Sequence, residues 1–366
     1  MFEFADIILA AAGLANPTLN VLTDNGDLVH YAILQPVGNV LADEHSIKND
    51  PANAAYQKAK IFLQNSLNSH ADVAIAPEYF TPWNIFTDIN NGLVPEDHKL
   101  WILGFESITP IEVSTLQSSF QNVKFLYKLP TGKTGNFLNP LVYLFKTKDS
   151  QQRDTIVALI QFKTTPMVDT FAQLERINLI TGDDIYIFRV INSIHLITIV
   201  CSDSLSFDPQ NIGKQPGQTH GIWNHTPFIL IHPQLNKKPG HVAFKKYRDD
   251  WFNYPIEKKQ LICLNWAQDS TINGQAPAPD EFGKSAIYFK ENFIVHHANL
   301  LKAHEQGLYY TSYERAHIFF FNFLEYTFEF SVCKVSRTFA LNASANHPQP
   351  DIELICSWSG TTWATT

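Results

Sequence analysis

The chain has 366 residues, 45% of them hydrophobic and 13% aromatic, which is ample apolar surface for a large buried core. Charged residues make up only 17% and the formal net charge is -8, a balance that argues against non-specific attraction to nucleic acid or acidic lipid. The four cysteines, Cys201, Cys263, Cys333 and Cys356, are scattered with no CxxC pair, which speaks against a zinc site or a disulfide framework and fits a reducing compartment.

An apolar stretch at residues 7–15 lacks the basic start of a signal peptide and is too short to span a bilayer. The expectation is a soluble, cytoplasmic protein. Residues 29–35 (VHYAILQ) read as a strand. Residues 51–69 read as a helix, with Ala55, Ala59, Phe62 and Leu63 at helical spacing and Pro51 at its start. Short apolar runs then predict strands at 71–77, 99–104, 122–127, 139–145, 154–162, 185–191 and 194–200. Further runs at 227–232, 260–265, 285–290 and 316–323 continue the series, and 241–254 suits a helix. Several of these strands are continuously apolar, which means burial on both faces and therefore sheets covered by helices, an α/β layered arrangement. Residues 28–330 form the predicted body, with extensions at 1–27 and 331–366.

Three segments share one design, in which a reactive side chain follows an apolar strand. Glu78 follows ADVAIAP, Lys163 closes IVALIQF, and Cys201 ends IHLITIV before Ser202, Asp203 and Ser204. In α/β sheets, sites gather at the carboxyl ends of strands, so a carboxylate, an amine and a thiol placed there suggest one pocket. A thiol is mostly protonated near neutral pH and needs a base and a positive neighbour. Glu78, beside Tyr79, Phe80 and Trp83, suits the base. Lys163 would favour the thiolate and stabilise a negative oxygen, with the backbone N–H of Ser202 as a second donor.

This order of Glu, Lys and Cys, each after a strand, resembles the nitrilase superfamily of carbon–nitrogen hydrolases. HYAILQP resembles the family's opening strand, and FLNPLVYLF its asparagine-bearing strand, here with Asn139. Glu175, in the loop before Gly182, matches the second glutamate that positions the catalytic groups. FILIHPQ, LICLNWAQ and FGKSAIYF resemble the later strands, so the likeness runs over roughly residues 29–326. It implies a four-layer α-β-β-α sandwich, at least a homodimer, and no metal or organic cofactor. The implied reaction is hydrolysis of a small amide, in preference to a nitrile, through a thioester on Cys201. Tyr79, Trp83, Asn139, His232 and Trp266 are expected to shape the substrate site. The sequence departs from the family after the lysine, with Thr164, Thr165 and Pro166, and after the cysteine, where Ser202 and Asp203 follow, so the substrate stays open.

Other readings compete. His195 and His232 lie in or at the end of strands and are the rival bases for a Cys–His dyad. His296, His297 and His304 have no cysteine or carboxylate at ligand spacing. TGKTG at 131–135 lacks the first glycine of a phosphate loop. The basic segment 237–248 leaves a nucleic-acid or protein partner open in an otherwise acidic chain. A catalytically silent module of the same fold, or a subunit of a larger assembly, is the alternative.

Overall fold

The computed structural model describes residues 1–23, 29–167, 173–190, 194–214, 221–222, 227–239, 241–252, 259–276, 278, 282–283, 285–290, 300–303, 308–313, 317–323, 351–358 and 363–365. The first half runs β1 (Phe2–Phe4), α1 (Ala5–Ala11), β2 (Val29–Gln35), β3 (Asn39–Ala42), β4 (Ile47–Asp50), α2 (Ala52–Asn68), β5 (Val73–Thr81), α3 (Ile85–Asn90) and β6 (Leu100–Phe105). It continues with α4 (Pro110–Ser119), β7 (Val123–Tyr127), β8 (Pro140–Lys148), β9 (Asp154–Phe162), α5 (Gln173–Asn178), β10 (Ile185–Arg189) and β11 (His195–Thr198). Then come β12 (Phe228–Pro233), α6 (Val242–Phe252), β13 (Lys259–Leu264), β14 (Thr271–Ile272), β15 (Ser285–Lys290) and β16 (Leu300–Ala303). The described chain closes with β17 (Leu308–Tyr313), β18 (His317–Phe323), β19 (Asp351–Trp358) and β20 (Trp363–Thr365).

Two mixed sheets dominate. One has nine strands in the order β20-β19-β18-β2-β5-β6-β8-β9-β7, the other eight in the order β1-β10-β11-β12-β13-β15-β17-β16. Side chains alternate across each strand, so every sheet presents two faces. Tyr31, Ile33, Val73, Ile75, Ile102 and Leu141 of the nine-stranded sheet pack against Tyr186, Leu196, Ile229, Ile231 and Ile262 of the eight-stranded one. Their alternates Ala32, Leu34, Ala74, Trp101 and Val142 face outward, with Phe62 and Leu63 of α2, Phe86 of α3 and Val113 of α4 in the same core. On the far side Ile197, Leu230 and Leu261 meet Tyr247 and Trp251 of α6. The result is the expected α-β-β-α sandwich. Each fully buried Val, Leu or Ile in these layers contributes on the order of 1.5–3 kcal/mol.

The helices form where the local chemistry stops them correctly. In α4, Thr109 and Glu112 close a reciprocal capping box, with Pro110 in the first turn. In α2, Ala55, Ala59, Phe62, Leu63 and Ser66 make the buried stripe.

Several boundaries differ from expectation. The strand expected at 71–77 runs on to Thr81, so Glu78 lies within it and not after it. Its register against β6 slips between Ala76 and Thr81, a bulge that the period-two pattern hides. The terminal segments, set apart by sequence, join the sheets: β1 pairs in parallel with β10, and β19 pairs antiparallel with β18. Positions 191, 253–254 and 316, together with His296, His297, His304 and Cys333, lie outside the described residues.

Candidate active site

The bulge in β5 is what brings Glu78 into the space between the sheets. Tyr79 takes a left-handed φ of 59°, uncommon for a residue with a side chain. The bulged backbone leans on Gly104 of β6, where a Cβ would sit 2.3 Å from the Pro77 carbonyl oxygen and 2.7 Å from the Glu78 Cα. Glu78 is 1% exposed. Its Oε1 accepts from Asn139 Nδ2 at 2.7 Å and Lys163 Nζ at 2.9 Å, and its Oε2 accepts from the Leu235 N–H at 2.6 Å. Burial raises the Glu78 pKa, Lys163 opposes that, and the nearby Glu175 charge adds to it.

Lys163 follows β9 and is also 1% exposed. Its ammonium donates to Glu78 and, at 2.8 and 2.7 Å, to both oxygens of Glu175. Burial works against the charge, but the Glu175 and Glu78 carboxylates outweigh it and carry the pKa well above the ordinary lysine value. Glu175, expected in a loop, sits in the short helix α5. Its carboxylate also accepts from the Tyr79 hydroxyl at 2.7 Å and the Met167 N–H at 2.8 Å. Gly182 lets the chain return over this strand end, since a Cβ there would lie 2.2 Å from the Phe162 carbonyl oxygen.

Cys201 begins a 3-10 turn through Leu205, just after β11, with a left-handed φ of 42°. The thiol is buried. Burial and the Glu78 charge push its pKa well above the ordinary thiol value, Lys163 pulls it down, and Glu175 and a hydrogen bond with Glu78 push it up again. Two carboxylates thus face one ammonium, and a thiolate would add a second uncompensated negative charge. Lys163 does favour the thiolate, as expected, but burial and the two carboxylates outweigh it and keep the proton on sulfur. The Ser202 N–H, at the start of the turn, has no acceptor among the described residues.

Asp203, noted in the sequence only as a departure, is fully buried and clasps the loop after Lys163 to the turn that begins at Cys201. Its Oδ1 accepts from the N–H and hydroxyl of Thr164 and the N–H of Thr165 at 2.8–2.9 Å, and its Oδ2 from the Val200 N–H at 3.1 Å. Ser202 adds a bond from its hydroxyl to the Thr165 carbonyl at 2.7 Å. The non-standard residues after the lysine and the cysteine are therefore partners of each other. No sequence pattern reports this, because the two loops lie nearly forty residues apart.

The residues expected to line the substrate are placed differently. Asn139 and the Tyr79 hydroxyl are committed to Glu78 and Glu175. Trp266 is fully buried and donates its indole N–H to the Glu78 carbonyl at 2.8 Å. Trp83 donates to the Glu106 carbonyl and packs on Phe86 and Phe105 in the outer core. His232 touches the Cys201 carbonyl and not the thiol, so it is not the base of a dyad. His195 packs its ring at a tilt against Phe228 within the eight-stranded sheet. Of the basic segment, Arg248 is buried and Lys246 pairs with Asp250. No group of three or more metal-ligating side chains occurs among the described residues. None of the described helices is long and apolar enough to cross a membrane.

No family model and no curated protein matches the chain. Among solved structures it is similar to the NitN amidase of Nesterenkonia sp. AN1, at 10% identity over 77% of this chain and 92% of that one, with a TM-score of 0.38. It is also similar to a CN-hydrolase superfamily protein of Xanthomonas campestris, at 12% identity over 71% of this chain and 82% of that one, TM-score 0.38. A glutamine-dependent NAD(+) synthetase from Cytophaga hutchinsonii matches at 7% identity over 72% of this chain and 39% of that one, TM-score 0.34. Likeness at this level leaves the fold to be read from the two sheets themselves, and the chemistry from the site.

Proposed function

We propose that the protein is a divergent carbon–nitrogen hydrolase of the nitrilase type, cleaving a small amide through a thioester on Cys201. The observation that carries this reading is the buried cluster in which one lysine ammonium bridges Glu78 and Glu175 beside a buried cysteine.

Glu78, with its pKa raised, takes the thiol proton as sulfur adds to the amide carbon. The carbonyl electrons move to oxygen, where the Lys163 ammonium and the Ser202 N–H meet the negative charge. Collapse of this intermediate breaks the carbon–nitrogen bond, and the amine leaves with the proton held by Glu78. Water then adds to the thioester with Glu78 as base, releasing the acid and restoring the thiol. Glu175 takes no proton in this scheme. It keeps Lys163 charged and fixed.

The silent-module alternative loses ground because burying two carboxylates against one ammonium costs stability, and a fold with no chemistry to perform has no use for that cost. A homo-oligomer remains part of the proposal.

The test is incubation with a panel of primary aliphatic amides and the matching nitriles, with ammonia release as readout and peptide mass mapping after an acid quench. The reading predicts ammonia from at least one amide and an acyl adduct on Cys201, both lost in Cys201→Ala. An adduct on Cys263, or turnover that survives Cys201→Ala, would overturn it.

A further inference from the structure

His232 is fully buried between Cys201 and α6, and the proposed reaction gives it no proton to move. Its Nε2 lies 2.8 Å from the Cys201 carbonyl oxygen, an acceptor only, so Nε2 must carry the hydrogen. Nδ1 is then the acceptor, and the Tyr247 hydroxyl donates to it at 2.5 Å. The ring is neutral: burial drives its pKa down to about 3. Tyr247 comes from α6, is 2% exposed, and stands edge-on to the imidazole. Its hydroxyl also meets Cys263 Sγ at 3.3 Å.

The peptide so held is a strained one. Cys201 has a φ of 42°, a left-handed conformation that is costly for a residue with a side chain and persists only when its surroundings over-determine it. Asp203 fixes the preceding residue through the Val200 N–H, and His232 holds the carbonyl that follows.

We infer that His232, oriented by Tyr247, is a positioning residue that holds the Cys201 peptide in its left-handed turn and so aims the thiol at Glu78. This rests on the proposed role of Cys201 as nucleophile. It also gives α6 a part in the site: the helix supplies the hydroxyl that donates to Nδ1 and holds the ring in place.

The test is the rate of Cys201 carboxamidomethylation by iodoacetamide, followed by peptide mapping, with Cys263 as the internal reference. His232→Gln keeps an N–H donor near the Nε2 position, and His232→Phe keeps a planar ring without one. The inference predicts that His232→Phe slows Cys201 about tenfold or more, the weight of one hydrogen bond and part of the strain, while His232→Gln stays within about threefold of wild type. A role in packing alone would not give that rescue. If His232→Phe does not fold, Tyr247→Phe serves, and a several-fold slowing of Cys201 with unchanged circular dichroism is expected. Equal rates in wild type and His232→Phe, or equal loss in Gln and Phe, or wild-type labelling in a folded Tyr247→Phe, would overturn the positioning role. A wild-type Cys201 no faster than Cys263 would instead overturn the hydrolase reading itself.

Discussion

At Cys201 two fields oppose each other, and their balance explains how the thiol rests. Lys163 would draw out its proton, but burial, and after it the charges of Glu78 and Glu175, hold the proton in place. In the proposed reaction, proton transfer is thereby tied to attack, with Glu78 as the receiver. His232 belongs to the same scale through its charge. Its folded pKa of about 3 lies below the ordinary 6.5, so between those values the unfolded chain binds a proton that the folded one refuses. Stability from this group is therefore full above pH 6.5 and lost as pH falls toward 3. Urea denaturation at pH 7 and pH 5 should show His232→Gln losing about 2 kcal/mol less than wild type over that interval. An identical drop would contradict the neutral, buried histidine. Glu78, Lys163 and Cys201 were legible in the sequence because each adjoins an apolar run. Asp203 was noted only as a departure and His232 as a pocket residue or rival base; their actual partners, Thr164, Thr165 and the Cys201 carbonyl, are tertiary neighbours that no sequence window shows.

The element that matters most is the bulged strand β5. A regular strand would alternate Pro77, Glu78 and Tyr79 across the sheet, whereas the slip against β6 turns Glu78 inward and frees Tyr79 to reach Glu175. Gly104 makes room for the bulge, and a methyl there meets backbone atoms that cannot swing away. Gly104→Ala should cost about 1–3 kcal/mol of stability by chemical denaturation and slow labelling of Cys201 in the same protein. Unchanged stability and labelling would mean that the close approach is not needed. Sequence alone saw the apolar run ending at Pro77 and stopped the strand there. The bulge is set by the neighbouring strand, so no window on 71–81 could have revealed it.

Across the whole molecule, the site works only if the two sheets keep their spacing. Gln161 of β9 spans the gap, donating to the Thr198 carbonyl at 3.0 Å and accepting from the Tyr186 N–H at 2.8 Å and the Tyr143 hydroxyl at 3.1 Å. It stands two residues before Lys163, so it pins the strand that delivers the lysine. Gln161→Leu leaves buried polar groups without this partner and should destabilise the fold by about 1–3 kcal/mol per group, read as a lower urea midpoint. A midpoint equal to wild type would count against the staple. The layered architecture was legible from the long apolar strands, because burial on both faces writes itself into composition. The terminal strands were not: β1 and β20 are three residues each, β19 lies in a segment set apart as an extension, and only pairing within the sheets defines them.

The central claim is that Glu78, Lys163 and Cys201 act as one unit. Glu78→Gln tests it most directly, since the amide keeps the shape of the side chain and Glu175 still holds Lys163. The measurement is the iodoacetamide labelling rate of Cys201 at neutral pH in wild type and in this variant, resolved from Cys263 by peptide mapping. The account predicts that wild-type Cys201 labels faster than Cys263 and slows on the order of a hundredfold in Glu78→Gln, within the range for loss of a positioned base. Labelling of Cys201 that does not depend on Glu78 would contradict it.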